Sequence, residues 1–191
     1  MAKSDPEASR RERLKTIKWV VTIFFVTILI SGIISLVSDE VMANSSIVVA
    51  FLILLAIIFL GIIFDIIGMA VASADEKPFH SMASRKVPGA QEAIKLLRNA
   101  ERVSSICNDV VGDICGVVSG SASATIAVLI LNDVDAGWPR GVSLVMSALV
   151  AGLTVGGKAV GKTFAVNSCT KIVHMVGRVI HTVNRLTKKK K

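Results

Sequence analysis

Residues Ile47 to Ala74 read IVVAFLILLAIIFLGIIFDIIGMAVASA and carry a single charge, Asp65. About 20 apolar residues suffice for a helix to cross the hydrocarbon layer of a bilayer. This run exceeds that length, so it reads as a tilted or projecting span. Three further stretches have span length. Ile17 to Val37 is nearly all apolar, with Lys18 at its edge. It is too long for a signal-peptide core, and no small-residue cleavage site follows it. Val103 to Leu131 and Gly141 to Val166 are less apolar and richer in small residues. Ser38 to Ser46 and Asn132 to Pro139 read as the turns that join the spans in pairs.

Composition supports that reading. Of 191 residues, 52% are apolar and 19% charged, with a mean hydropathy of +0.66. Soluble domains lie near 45–50% and about 25%. A secreted disulfide scaffold, a disordered tail and an ordinary cytosolic enzyme are thereby excluded, and no enzymatic activity is expected. The expected fold is all-α: an integral membrane helical bundle of four transmembrane helices with cytoplasmic amphipathic juxtamembrane helices. A basic segment, 1–16, precedes a four-span domain, 17–166, whose long connection is 75–103. A basic amphipathic helix and lysine tail, 167–191, follow.

Ala90 to Arg102 places Ala93, Ile94, Leu97 and Ala100 at helical spacing, with Lys95, Arg98 and Arg102 off that stripe. Ala165 to Leu186 repeats the pattern with Ile172, Val173, Val176, Val179, Ile180 and Val183. Both suit a membrane surface. Net charge is +8, and every Lys and Arg except Arg140 falls in the stretch up to Lys18, the 75–103 connection or the stretch from Lys158 onward. The positive-inside rule then puts both termini and the long connection in the cytoplasm of a cell (inner) membrane protein. Anionic headgroups explain this charge better than nucleic acid does.

Several polar groups stand inside the spans. Asp65 is in the second. Asn108, Asp109 and Asp113 are in the third, the two aspartates sharing a helix face. A carboxylate at the bilayer centre costs about 2.5–3.5 kcal/mol even on insertion scales, so such residues usually face a cavity or a partner. Carboxylate and amide oxygens are also the donors preferred by hard cations such as Mg²⁺. The competing reading neutralises these acids with Lys158 or Lys162. Gly112, Gly116 and Gly120 recur every four residues, as do Gly152 and Gly156. That spacing suits close helix packing, including packing within a homodimer.

Gly156 to Thr163, GGKAVGKT, matches the phosphate-loop pattern letter for letter. Such a loop needs a strand before it and a parallel sheet around it. An apolar run of membrane length precedes this one, so nucleotide chemistry is not expected. Cys107, Cys115 and Cys169 lack metal-site spacing and read as small buried residues. His80, His174 and His181 read as solvated near headgroups.

From Gly68 to about Ile180 the sequence resembles the membrane domain of the CNNM/CorB/CorC magnesium transporters. Ala70 and Ser73 fit the small, polar end of that family's first span. Asn99-Ala100-Glu101-Arg102 is similar to its Asn-Pro-Glu-Arg stretch. Asn108 falls near its membrane asparagine, and Gly157 and Lys162 fit its Gly-Glu-x-x-Pro-Lys stretch. Lys158 stands where the family has glutamate and Gly161 where it has proline. The 191 residues hold no counterpart of the family's paired CBS modules, and they include a further span, Ile17 to Val37. The family's serine-rich metal-site segment is replaced around Asp65 to Gly68. The resemblance implies divalent-cation transport, with Mg²⁺ as cargo, and the polar residues Asp65, Asn108, Asp109 and Asp113 are expected to line a polar cavity. The alternative is a structural or regulatory membrane protein with internally neutralised charges.

Overall fold

The computed structural model describes residues 6–43, 45–133 and 139–188, and all its elements within them are helical. Helix α1 spans Pro6–Ala43 and α2 spans Ile47–Ser73. Helices α3 (Lys77–Ser84) and α4 (Ala90–Arg98) lie in the long connection, and α5 (Ala100–Ser105) leads through a π-helical turn, Ile106–Val111, into α6 (Gly112–Asp133). Then come α7 (Pro139–Asn167) and α8 (Cys169–Lys188). Four stretches are long and apolar enough to cross a membrane: Thr16–Met42, Ile47–Ser73, Ala100–Leu131 and Arg140–Asn167. The turn expected at 132–139 falls largely outside the described residues, as do residues 1–5 of the N-terminal segment and 189–191 of the lysine tail.

Two boundaries differ from the sequence reading, each for a local reason. Ser38 to Ser46, read as a turn, stays helical as far as Ala43. Asp39 is thereby carried against α6, where the Ser121 hydroxyl donates to its Oδ1 at 2.8 Å and the Thr125 hydroxyl at 3.5 Å. Ala90 to Arg102, read as one amphipathic helix, breaks at Asn99. The Asn99 amide donates back to the Lys95 carbonyl at 3.0 Å and ends α4, so Ala100 starts the third span.

Helix α2 is the hub. It contacts α6, α7, α5, α8 and the π turn, whereas α1 rests on α6 and barely touches α2. Burial follows. No residue in the most apolar window of α1 is buried, against 44% for the third span. Apolar side chains form two clusters along α2. Ala50, Leu54 and Ile58 pack with Met42, Ala122, Ile126, Met146 and Val150 at one end. Ala70 and Val71 pack with Phe79, Ala93, Leu97, Ala165 and Val173 at the other.

Candidate functional site: a polar gap between two apolar clusters

Between those clusters α2 carries Gly61, Asp65 and Gly68, spaced four and three residues apart and so on one helix face. A β-carbon on Gly61 would stand 2.9 Å from Cβ of Cys115. One on Gly68 would collide with Oδ1 of Asn108 and stand 2.8 Å from its Cγ. The backbone of α2 thus approaches α6 and the π turn closely on both sides of Asp65. Glycine is required here because any side chain would fill the space that Cys115 and Asn108 use.

Asp65 is only 4% exposed, and its Oδ2 has no hydrogen-bond partner. The Oδ1 of Asn108 is likewise buried without a partner, while the amide nitrogen donates to the Ser104 hydroxyl at 3.2 Å. Buried acceptors are nearly always satisfied, so an orphan calls for an explanation. Here two orphan oxygens come from neighbouring helices in one seam. Asn108 sits in the π turn, a rare geometry that recurs at functional sites. A neutral Ser104–Asn108 bond fixes the amide, so its oxygen is the end left facing α2.

A cation also reaches this depth. Half-buried Lys158 extends from α7, and its Nζ donates to the Gly112 carbonyl at 3.5 Å. Among the described residues no ion pair joins Asp65 to Lys158 or to Lys162, which is exposed. Gly157 and Gly161 on either side of Lys158 lie against Ile62 and Ile66 of α2. The ammonium therefore meets the seam from the α7 side without touching the carboxylate.

The other expected site residues do not join this gap. Asp109 is exposed and accepts a hydrogen bond from Ser105 at 2.9 Å, and Asp113 is exposed as well. They share the face next to that of Asn108 and Gly112. Because those two face inward, the aspartates face outward, and one cavity lined by all four residues is not formed within the chain. The glycines named for close packing meet little within the chain. Of the five named glycines, Gly112 is buried with Lys158 Nζ 3.4 Å from where its β-carbon would be. Gly116, Gly120, Gly152 and Gly156 have nothing within 4 Å of such a position. The close contacts are made instead by Gly61, Gly68, Gly157 and Gly161. Cys107 and Cys115 are buried as read, and Cys169 is half-buried.

Some working residues escaped the sequence reading. By sequence Asp39 reads as part of a turn, although Ser121 and Thr125 lie one turn apart on α6, a hydroxyl pair that suits a carboxylate. His181, solvated by the sequence reading, bonds to Glu92 at 2.9 Å, and His174 meets the Pro88 carbonyl at 3.3 Å. Their shared face of α8 was legible, but its partner was not. The π turn left no sequence signal. Among the described residues no group of three or more His, Cys, Asp or Glu could hold a metal, so a cation in the gap would rely on Asp65 together with amide and carbonyl oxygens. Comparison with protein families, curated proteins and solved structures gives no match for this chain.

Proposed function

We propose that this chain is a multi-pass membrane protein that binds and passes a divalent cation, with Asp65 and Asn108 as the oxygen donors of its buried site. The pair of unpartnered buried oxygens in the gap between the apolar clusters carries this reading. A carboxylate buried within a span calls for a cation, a proton or a counter-charge, and an amide oxygen beside it suits a hard cation. Mg²⁺ fits this donor set because it keeps several waters and takes few protein ligands. The likeness to CNNM/CorB/CorC membrane domains points to the same cargo. In this reading the four spans form a bundle in a cell (inner) membrane, with α3, α4 and α8 on the cytoplasmic side. Asp109 and Asp113 lie on an outward face with Gly116 and Gly120, where a second copy would pack in a homodimer.

A second reading has its own support. In it the Lys158 ammonium, which lies at the Gly112 carbonyl, swings to Asp65 as its counter-charge. The protein would then be a structural or regulatory membrane protein whose gap is neutralised internally. Melting of the purified protein with and without millimolar Mg²⁺ separates the two. Cation binding raises the melting temperature of the wild type, since a ligand at a hundred times its Kd adds about 2.7 kcal/mol. Asp65→Asn removes the rise, Lys158→Met retains it, and proteoliposomes take up Mg²⁺ only with Asp65 present. Indifference to Mg²⁺, Mn²⁺ and Co²⁺, with Asp65→Asn loss partly restored by Lys158→Met, would establish the structural reading instead. For orientation, external labelling of single cysteines should reach position Ser45 and not Thr187.

A further inference from the structure

Helix α8 presents two apolar stripes, and only one is covered by protein. Val173 is fully buried, and Gly177 lies against the backbone of Gly89, which itself adopts a left-handed φ of 87°. That inner face holds α8 on α4 and on the second apolar cluster. His181, bonded to Glu92, and His174, at the Pro88 carbonyl, seal one edge of it. The outer stripe is Met175, Val179, Val183 and Leu186, exposed by 65%, 59%, 55% and 65%. Their spacing of four, four and three residues keeps them on one face.

Two observations say what covers that stripe. Lys171, Arg178 and Arg185 recur every seven residues and form an exposed row along one side of it, while Cys169–Lys188 contains no acidic residue. Helix α8 also follows the fourth span after a single residue, Ser168, so it starts at the edge of any bilayer that α7 crosses. A helix with an apolar stripe and a basic border, lying at that depth, matches an interface of acyl chains and phosphates. The histidines do not contribute to the basic row. They face the connection, where Glu92 is the acidic group opposite His181.

We infer that α8 is an interfacial anchor that inserts Met175, Val179, Val183 and Leu186 among the acyl chains of its own membrane and sets Lys171, Arg178 and Arg185 against anionic headgroups. Because its inner face grips α4, the anchor ties the long connection to the bilayer surface. This rests only on the spans crossing a bilayer and is independent of the cation reading.

The test uses the full chain in vesicles of phosphatidylcholine with or without phosphatidylglycerol. Trp19 and Trp138 are replaced by Phe, and one tryptophan is introduced at Val179, or at lipid-facing Leu52 as a control. Lipids brominated in the acyl chain should quench the tryptophan at 179 about as strongly as the one at 52. In the wild type, phosphatidylglycerol should be bound in preference to phosphatidylcholine. Arg178→Gln should reduce that preference by about fivefold, the weight of one basic residue at an anionic surface. A tryptophan at 179 that is quenched by aqueous iodide and not by brominated lipid, while the control behaves as buried in lipid, overturns insertion. Protection from both quenchers would mean that a protein partner covers the stripe, which overturns it equally. A preference unchanged by Arg178→Gln and by the triple Gln variant of the basic row overturns the headgroup assignment. None of these outcomes depends on Mg²⁺.

Discussion

The seam of α2 with α6 and the outward face of α6 and α7 use the same residue types, glycines and aspartates at helical spacing inside apolar helices. They behave oppositely. At the seam, Gly61 and Gly68 have no room for a β-carbon, and Asp65 between them is buried. On the outward face, Gly116, Gly120, Gly152 and Gly156 have open space, and Asp109 and Asp113 are exposed. Spacing determines which residues share a face, but it carries no information about what the face meets. The seam glycines are seven residues apart, which looks less regular in sequence than the four-residue repeats of the outward stripe, yet they make the close approach.

The largest separation between the two regions should come from leucine substitutions. Gly68→Leu places a branched side chain where Asn108 Cγ would be 2.8 Å and Cys107 Cβ 3.0 Å from its β-carbon. Overpacking of this kind costs about 3 kcal/mol. Gly120→Leu should cost close to nothing in the monomer. Unfolding in detergent reads both, and equal losses would erase the distinction between the two faces. If Gly120→Leu changes the oligomer size instead, the outward face is an interface between copies.

A smaller loss is expected at Gly61. Its β-carbon would press on Cys115, so Gly61→Ala should destabilise by about 1–2 kcal/mol, and Cys115→Gly should recover part of that loss in the double variant. Additive losses would show that the two positions are not in contact. Midway along α6, Ser121→Ala removes a hydroxyl that lies 2.8 Å from Oδ1 and 3.0 Å from Oδ2 of Asp39. Hydrogen bonds to charged groups contribute about 1.5 kcal/mol or more. The same unfolding assay should register a loss near that size, and Asp39→Asn should make the Ser121 substitution matter less.

The smallest effects lie outside the seam. Gly152→Ala should leave stability unchanged or raise it by about 0.5 kcal/mol, because alanine is the better helix former and nothing obstructs its β-carbon. At the α4–α8 contact, the hydrogen bond from His181 holds the Glu92 carboxyl below its ordinary range, with burial acting against it. A depressed carboxylate contributes stability at neutral pH that is lost as pH falls through its folded value. Wild type should therefore melt above Glu92→Gln at pH 7, and the gap should close on acidification below the usual carboxylate range. A gap that widens in acid would reverse the assignment.

Much of the architecture was legible because apolar run length is a direct physical constraint. Four runs long enough to cross a bilayer fell where four such helices stand, and both amphipathic stretches contain helices. The individual polar residues Asp65 and Asn108 were legible too, since charge and amide inside an apolar run are conspicuous in any fold. What the linear chain left open was direction. A helix offers the same spacing to every neighbour, so whether Asp113 or Asp65 turns inward is decided by which face α2 occupies. That in turn depends on how closely Gly61 and Gly68 let it approach. The break at Asn99, the π turn that aims Asn108, the hold of Ser121 and Thr125 on Asp39 and the pairing of His181 with Glu92 all join residues that only tertiary packing brings to the same place. Composition and run length determined that these helices form, and the removal of side chains at two glycines of α2 decided where the polar gap between them would lie.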